Sequence, residues 1–494
     1  MPSMRTHHAI RILSAACAIG SITGARAQSI DAYNPLPNGS PKGLAIQTDG
    51  KVIIGGQFQS VGATSVSGIA RLDADGSVDS TFTTPAVNSE IKAVAIQKDG
   101  KILIGGAFDA IGTTPRHYLA RLNVDGSLDM GFADPHLDNT VWSIVVQPDG
   151  NVLVAGGFTV SGTTSRNRVA RFTSAGILDS SFADPQICNS EARNVALQSN
   201  GEVVVEGFFA YVGNCSSPTP HEQFYLARFS TAGVLDSSFP VDPPNSPLSA
   251  LVIGPDDAIY VNGGFSVTAG GLRLVSKLSA NGTFIPSYAN LANDGATNSF
   301  ALQPDGKLVL GGDFQTIATQ SRHGLARLNA DGTLDTGFAD LHVSLTGANP
   351  NGSVFALAAQ TDGKVIATGN FSLVNGQSRQ FAARIILADP AVSQLTAQAS
   401  GSNVIVTWVR SGAGPELAQP PILMHSVDAV TYTAIGTMTR ISNGWRMTAP
   451  YNVNGAPFFL QAVGFTSSGA ANGSSGSIES PVYSNDRIFA NGFE

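Results

Sequence analysis

Charge is scarce in this chain. Asp, Glu, Lys and Arg make up 13% of 494 residues, and the basic ones are the minority, 28 against 36 acids, for a net charge of −8. A chain so poor in clustered Lys and Arg lacks what phosphate neutralisation needs, which excludes nucleic acid as a partner class. Cysteine is scarcer still, with three residues, too few for a disulfide-dense scaffold or a Cys/His zinc spacing. Past the N-terminus no apolar run approaches the roughly 18 residues of a membrane helix. Nor is there a Ser-His-Asp order or a phosphate loop: "GKLVLGG" (306–312) is a strand with glycines, and no helix follows to place its N-terminus on phosphate.

What is abundant is glycine, 54 residues, set with Ser, Thr and Asn between short apolar runs. That is the composition of a turn-rich, all-β chain. Arg5 and Arg11 precede the apolar stretch 12–22, and Ala25-Arg26-Ala27 follows with small residues where signal peptidase reads. Residues 1–27 are therefore expected to be a secretory signal peptide, cut before Gln28, giving a secreted, extracellular protein. Cys17 raises lipidation as an alternative, but Ser14 stands where a lipobox has Leu. Losing residues 1–27, with three arginines and no acid, moves the net charge from −8 to −11.

The chain repeats one phrase. "VAIQKDGKILIGGAF" ends at Phe108, "IVVQPDGNVLVAGGF" at Phe158 and "ALQPDGKLVLGGDF" at Phe314. Aligned on the turn glycine, the copies fall at Gly50, Gly100, Gly150, Gly201, Gly306 and Gly363, with Asp257 in that place in a degenerate copy, at spacings of 50, 50, 51, 56, 49 and 57. Each reads as four short strands joined by Asp-Gly hairpins, where Asp accepts local backbone bonds and Gly takes positive φ. Units of this size that cannot bury both faces alone stack around an axis, so the expectation is a seven-bladed β-propeller of four-stranded blades over 28–388. The seventh copy lacks its closing strand, and "SIDAYNP" (29–35) matches "SLDMGFADP" (127–135) well enough to supply it.

The phrase "ALQPDGK…GG-x-F" followed by "LARLN-x-DG-(S/T)-LD-x-x-F" resembles the delta-60 repeat of exported bacterial proteins, over about residues 29–387. That resemblance implies a β-propeller and no particular reaction, since fold does not assign function. Beyond it, "SNVIVTW", "GWRMTAP" and "PFFLQAVGF" predict a small fibronectin- or immunoglobulin-like β-sandwich over 391–484, anchored by Trp408 and Phe459. A tail, "NDRIFANGFE", occupies 485–494.

Function is expected on the face whose loops vary between copies. His117, His136, His221, His323 and His342 fall there, with Arg116 and Arg322 beside two of them. They are candidate binding residues, or a metal site at the channel mouth; the competing reading is that the second and sixth copies are simply alike. Arg116 and Arg322 also recur with Arg166, Arg273 and Arg379, which favours a structural role. "DADGSVD", "NVDGSLD" and "NADGTLD" resemble half a calcium loop, making Asp73, Asp75, Asp79, Asp125, Asp129, Asp331 and Asp335 weak metal candidates, with hydrogen-bonded turns as the default. Cys188 and Cys215 both border one blade's variable face and are expected to form a structural disulfide. No catalytic set stands out; Asp134, Asp184 and Asp340 recur in "FAD" as repeat architecture. The expectation is a non-enzymatic binding module for glycan or protein at the cell exterior, with no resident cofactor unless calcium. A carbohydrate-active enzyme on the same face and a passive structural protein are the alternatives.

Overall fold

The computed structural model describes residues 28–484 except 214, 216–220, 240–246, 263–274, 289–290, 348–349, 401–402, 451–457, 468, 471–474 and 481. The leader 1–27, the tail 485–494, Phe265 and Arg273 lie outside the described residues. Those described are strand, turn and loop throughout, and none forms a helix long and apolar enough to cross a membrane.

Each repeat copy folds into one antiparallel sheet. In the second, Ile91–Ile96 pairs with Ile102–Gly106, which pairs with Leu119–Leu122. The turn glycines that start each hairpin take positive φ, 80° at Gly100 and 85° at Gly50, and in the degenerate copy Asp257 holds the same region at 58°. Aspartate is one of the few side chains that tolerate it.

First strands lie against one another in chain order, and that of the seventh copy, Ser353–Ala359, lies against that of the first, Pro41–Ile46. Apolar side chains fill each space between neighbouring sheets. Ile53 and Ile69 of the first copy meet Val94, Ile104 and Phe108 of the second, and Leu44, Ile54 and Phe58 of the first meet Ala356 and Ile366 of the seventh. Middle strands such as Ile102–Gly106 are thus buried on both faces, which is why they read as continuous apolar runs rather than alternating ones.

The glycines ending the second strands let sheets approach. A Cβ on Gly55 would stand 2.6 Å from Ile91 Cγ2, and one on Gly105 2.6 Å from Val141 Cγ1, distances no packed carbon accepts.

The fourth strand is shorter than the sequence pattern predicts. It shrinks to a single bridge, Leu122↔Leu128 in the second copy and Leu328↔Leu334 in the sixth. The reason lies in the next residue. Asp129 accepts the Gly131 N–H at 2.8 Å and its carbonyl accepts that of Phe132 at 3.3 Å, curling the chain away from the ladder. In the seventh copy the N-terminus does the pairing: Ser29–Ile30 lies antiparallel to Ala382–Ile386.

An arginine in six copies, replaced by Lys277 in the fifth, ties the sheets together. Arg71 donates Nε to Asp79 at 2.7 Å, reaches the Val124 carbonyl of the next copy at 2.6 Å, and stacks 4.9 Å over Phe82. Arg121, Arg171 and Arg228 repeat this on Phe132, Phe182 and Phe239.

Beyond the repeats, Val392–Ser400, Asn403–Ser411, Gly444–Pro450 and Thr439–Ile441 form one antiparallel sheet, while Ile422–Ser426, Thr433–Thr437, Phe459–Ser467 and Ser475–Glu479 join in another. Trp408 is fully buried in a cluster with Val406, Leu423, Trp445 and Leu460. Phe459, one step off in the pleat, is buried outside that cluster, which takes Phe458 and Leu460 instead. This region docks on the short-turn end of the sixth copy: Asp389 meets Lys307 at 3.0 Å and Arg327 at 2.8 Å, and the Glu416 N–H bonds the Leu302 carbonyl at 3.0 Å. From it Gly469–Ala470 pairs with Ser299 and Phe300, and Ser475 bridges Ala95. Both contacts are made to first strands, those of the sixth and second copies.

Candidate binding site

Six of the seven first strands carry a β-bulge at the same place, and the bulged residues are Lys42, Lys92, Trp142, Arg193, Asn298 and Phe355. All lie eight residues before the copy's turn anchor; Ser249 holds that position in the fifth copy. A bulge turns one side chain out of the pleat. Here it turns it toward the axis, because these seven residues, with Phe208, line a single cleft of about 200 Å³. Ser299, the residue after Asn298, pairs with Ala470.

The position two further on is apolar in every copy, Leu44, Val94, Ile144, Val195, Leu251, Phe300 and Leu357, whereas this one mixes charged, aromatic and polar side chains. Cations and aromatics interleave. Arg193 lies 3.8 Å from the Trp142 ring and 4.6 Å from that of Phe208, and Lys92 lies 4.2 Å from Trp142 on the same indole. Two carboxylates order the set: Glu90 bridges Lys92 and, at 3.1 Å, Lys42, while Glu191 pairs with Arg193 and accepts the Trp142 Nε1–H at 2.6 Å. Burial works to raise the Glu90 carboxyl, yet its bonds to Lys92 and Lys42 hold it below the usual range. Burial lowers the Lys92 ammonium, and the charges of Lys42 and Arg193 push it further against the pull of Glu90.

Behind the cleft stands Glu206, where the other copies have Gly55, Gly105, Ala155, Asn262, Gly311 and Thr368, none of them ionisable. It is fully buried, and loss of solvent raises its carboxyl to about 8 despite an Asn194 hydrogen bond and the Arg193 charge. Its Oε2 and Asn194 Oδ1 have no partner among the described residues. A neutral acid at pH 7 supplies the donor such a pair lacks.

None of the histidines is among the residues that line the cleft. His117 and His136 converge on Asp134: both Nδ1 atoms face Oδ2, at 2.6 and 3.4 Å, and both backbone N–H groups bond Oδ1. Around Asp340 both backbone N–H groups of His323 and His342 again bond Oδ1 and His323 Nδ1 lies 2.6 Å from Oδ2, while His342 brings a ring nitrogen within 4.8 Å of the other two ligand atoms. Each pair meets around its own aspartate, between adjacent copies. Burial opposes ionisation of Asp340, yet bonds from the His323 and His342 backbone and from the His323 and Ser321 side chains bring its carboxyl down to about 2. The His221 side chain lies outside the described residues. Arg116 and Arg322 are buried, donating to the Pro115 and Ser321 carbonyls at 3.0 and 2.7 Å.

The aspartates of the Asp-Gly turns separate in role. Asp75, Asp125 and Asp331 each accept the backbone N–H and hydroxyl of the Ser or Thr two residues on. Asp79, Asp129 and Asp335 face Arg71, Arg121 and Arg327, and Lys51 joins Asp73 to Asp79 at 2.9 and 2.6 Å. Arginine, not a cation site, is what these carboxylates surround. Cys188 and Cys215 are joined in a disulfide.

The sequence reading missed the whole axial ring. The signal was a column: among aligned copies the residue eight before the anchor reads Lys, Lys, Trp, Arg, Ser, Asn, Phe, a disagreement no turn or core requires.

Five stretches, 47–82, 97–132, 147–182, 303–338 and 360–385, match a family described as a domain of unknown function (DUF5122) beta-propeller. Among curated proteins none matches the chain. Among solved structures, polysaccharide lyase Uly1 superposes at TM-score 0.22 and 12% identity over 82% of this chain and 92% of its own, a likeness too weak to argue from. Five of the repeat copies are thus similar to those of a β-propeller family.

Proposed function

We propose that this is an exported, non-enzymatic binding protein: a seven-bladed propeller of the delta-60 type carrying a fibronectin- or immunoglobulin-like sandwich, and recognising glycan through the axial cleft on its variable face. The observation that carries this is the ring of seven side chains of six kinds at one repeat position. Sheet packing treats all copies alike, so a position that breaks the symmetry is shaped by something else. Cations and hydrogen-bonding groups set among aromatic faces suit a sugar ring bearing a carboxylate. At about 200 Å³ the cleft is smaller than the roughly 300–1,000 Å³ of drug-sized sites, so it holds one unit of a polymer.

The test is a glycan array probed with the purified chain and with a Trp142→Ala/Arg193→Ala variant. Saturable binding to uronic-acid glycans that the variant loses supports the reading. Equal binding by the variant moves the site off the axis. Binding to no glycan removes glycan as the ligand and leaves a protein partner.

A further inference from the structure

We propose that the two His-Asp-His clusters, His117 with Asp134 and His136 and His323 with Asp340 and His342, each bind one divalent first-row transition-metal cation of zinc's kind. This goes beyond the axial cleft and rests on different residues.

In both clusters three ligand atoms lie within 4.8 Å of one another, one nitrogen from each histidine and one carboxylate oxygen. Two imidazoles and a carboxylate, with the remaining positions left to water, are a donor set for zinc, cobalt or nickel rather than for calcium, which takes oxygen. The geometry is close to what a cation needs. Ligands about 2.0–2.1 Å from a tetrahedral ion stand roughly 3.3 Å apart, and His136 Nδ1 is already 3.4 Å from Asp134 Oδ2. His117 Nδ1, at 2.6 Å, has only to withdraw by less than an ångström. The aspartate is held for the purpose, its other oxygen pinned by two backbone N–H groups at 3.1 and 3.2 Å.

The repeat supplies its own control. In the third copy the same places hold Asn167, Asp184 and Gln186, and the loop is built identically: Asn167 and Gln186 donate their N–H groups to Asp184 Oδ1 at 2.8 and 3.1 Å, and Asn167 Nδ2 reaches Oδ2 at 2.7 Å. The left-handed backbone does not ask for histidine either, since φ is 51° at Gln186 and 56° at Leu36 against 48° at His136 and 44° at His342. Folding of the loop therefore needs neither histidine. Yet the histidines occur together or not at all: the first copy has Ser67, Thr84 and Ala86. Complete trios in two copies, with none half-formed in the first and third, are what a shared ligand produces.

The experiment is equilibrium dialysis of the chelator-stripped full chain against zinc, with metal analysis, beside His136→Gln, His342→Gln and the double variant. Glutamine already fills this place at 186, so the variants keep the fold, and unfolding without metal checks it. The expected stoichiometry is two zinc ions per chain, one in each single variant and none in the double. Cobalt(II) should show the d–d absorption of a low-symmetry site in the wild type, about half of it in each single variant and none in the double variant. No zinc bound by the wild type, or two retained by the double variant, overturns the proposal.

Discussion

Arg384 donates Nε to Asp31 Oδ2 at 2.7 Å across 353 residues, the same bond that Arg71 makes to Asp79 across eight. The same arginine covers the buried Tyr33 ring at 4.8 Å and reaches the Ala74 carbonyl of the first copy at 2.5 Å. One side chain thus binds the two ends of the repeat region. Asp31→Ala should lower unfolding free energy by about 1–3 kcal/mol, as expected for a buried charge left without its partner. Arg384→Ala should cost at least as much, and the double variant less than the sum. Urea unfolding of all four proteins measures the coupling; strict additivity would show that the pair does not hold the ring.

At the cleft, Trp142 carries two cations and holds Glu191. Trp142→Ala should weaken ligand binding by at least about tenfold, a loss of the size seen when a central aromatic anchor is removed. Stability should change little, because the residue is at the solvent edge of its strand. Titration calorimetry against the glycan selected on the array checks both halves.

Glu206 predicts a pH dependence. Its folded carboxyl titrates at about 8, whereas an open chain releases the proton near 4.3. Between those values the folded state keeps a proton that the unfolded state has lost, so this residue's contribution is complete below the lower value and falls as pH rises through 8. Glu206→Gln removes the titration. Thermal unfolding from pH 5 to 9 should show the variant overtaking the wild type on the alkaline side, by on the order of a few kcal/mol at pH 9. Parallel profiles would mean that the acid is not held neutral.

Cys188 and Cys215, 27 residues apart, tie the segment before the fourth copy's first strand to the loop after its second. Reduction should lower stability by about 2–4 kcal/mol, and Cys188→Ser should match the reduced wild type. Zinc binding should be untouched, since both His-Asp-His clusters lie in other copies. Denaturant curves with and without reductant give the comparison.

Much of this fold was legible in one dimension. Period, turn glycines and apolar runs marked every sheet, because a unit stacked on identical neighbours must repeat its core residues, its hairpin φ and its close-approach glycines in register. The closure by "SIDAYNP" was legible for the same reason: Asp31 and Tyr33 stand where other copies have Asp and Phe. The disulfide and the pairing of histidines in like loops were also visible as positions. Three things were decided only in the folded chain. The fourth strand became a bridge because Asp129 and its equivalents bend the backbone. Asp79 and Asp129 turned out to serve arginines arriving from eight residues away, which no local turn motif records. The axial ring required seven residues, about 50 positions apart in sequence, to be aimed at one point, six of them by bulges. Sequence sets what each copy can bury; only closing the circle brings one side chain from every copy to a common axis.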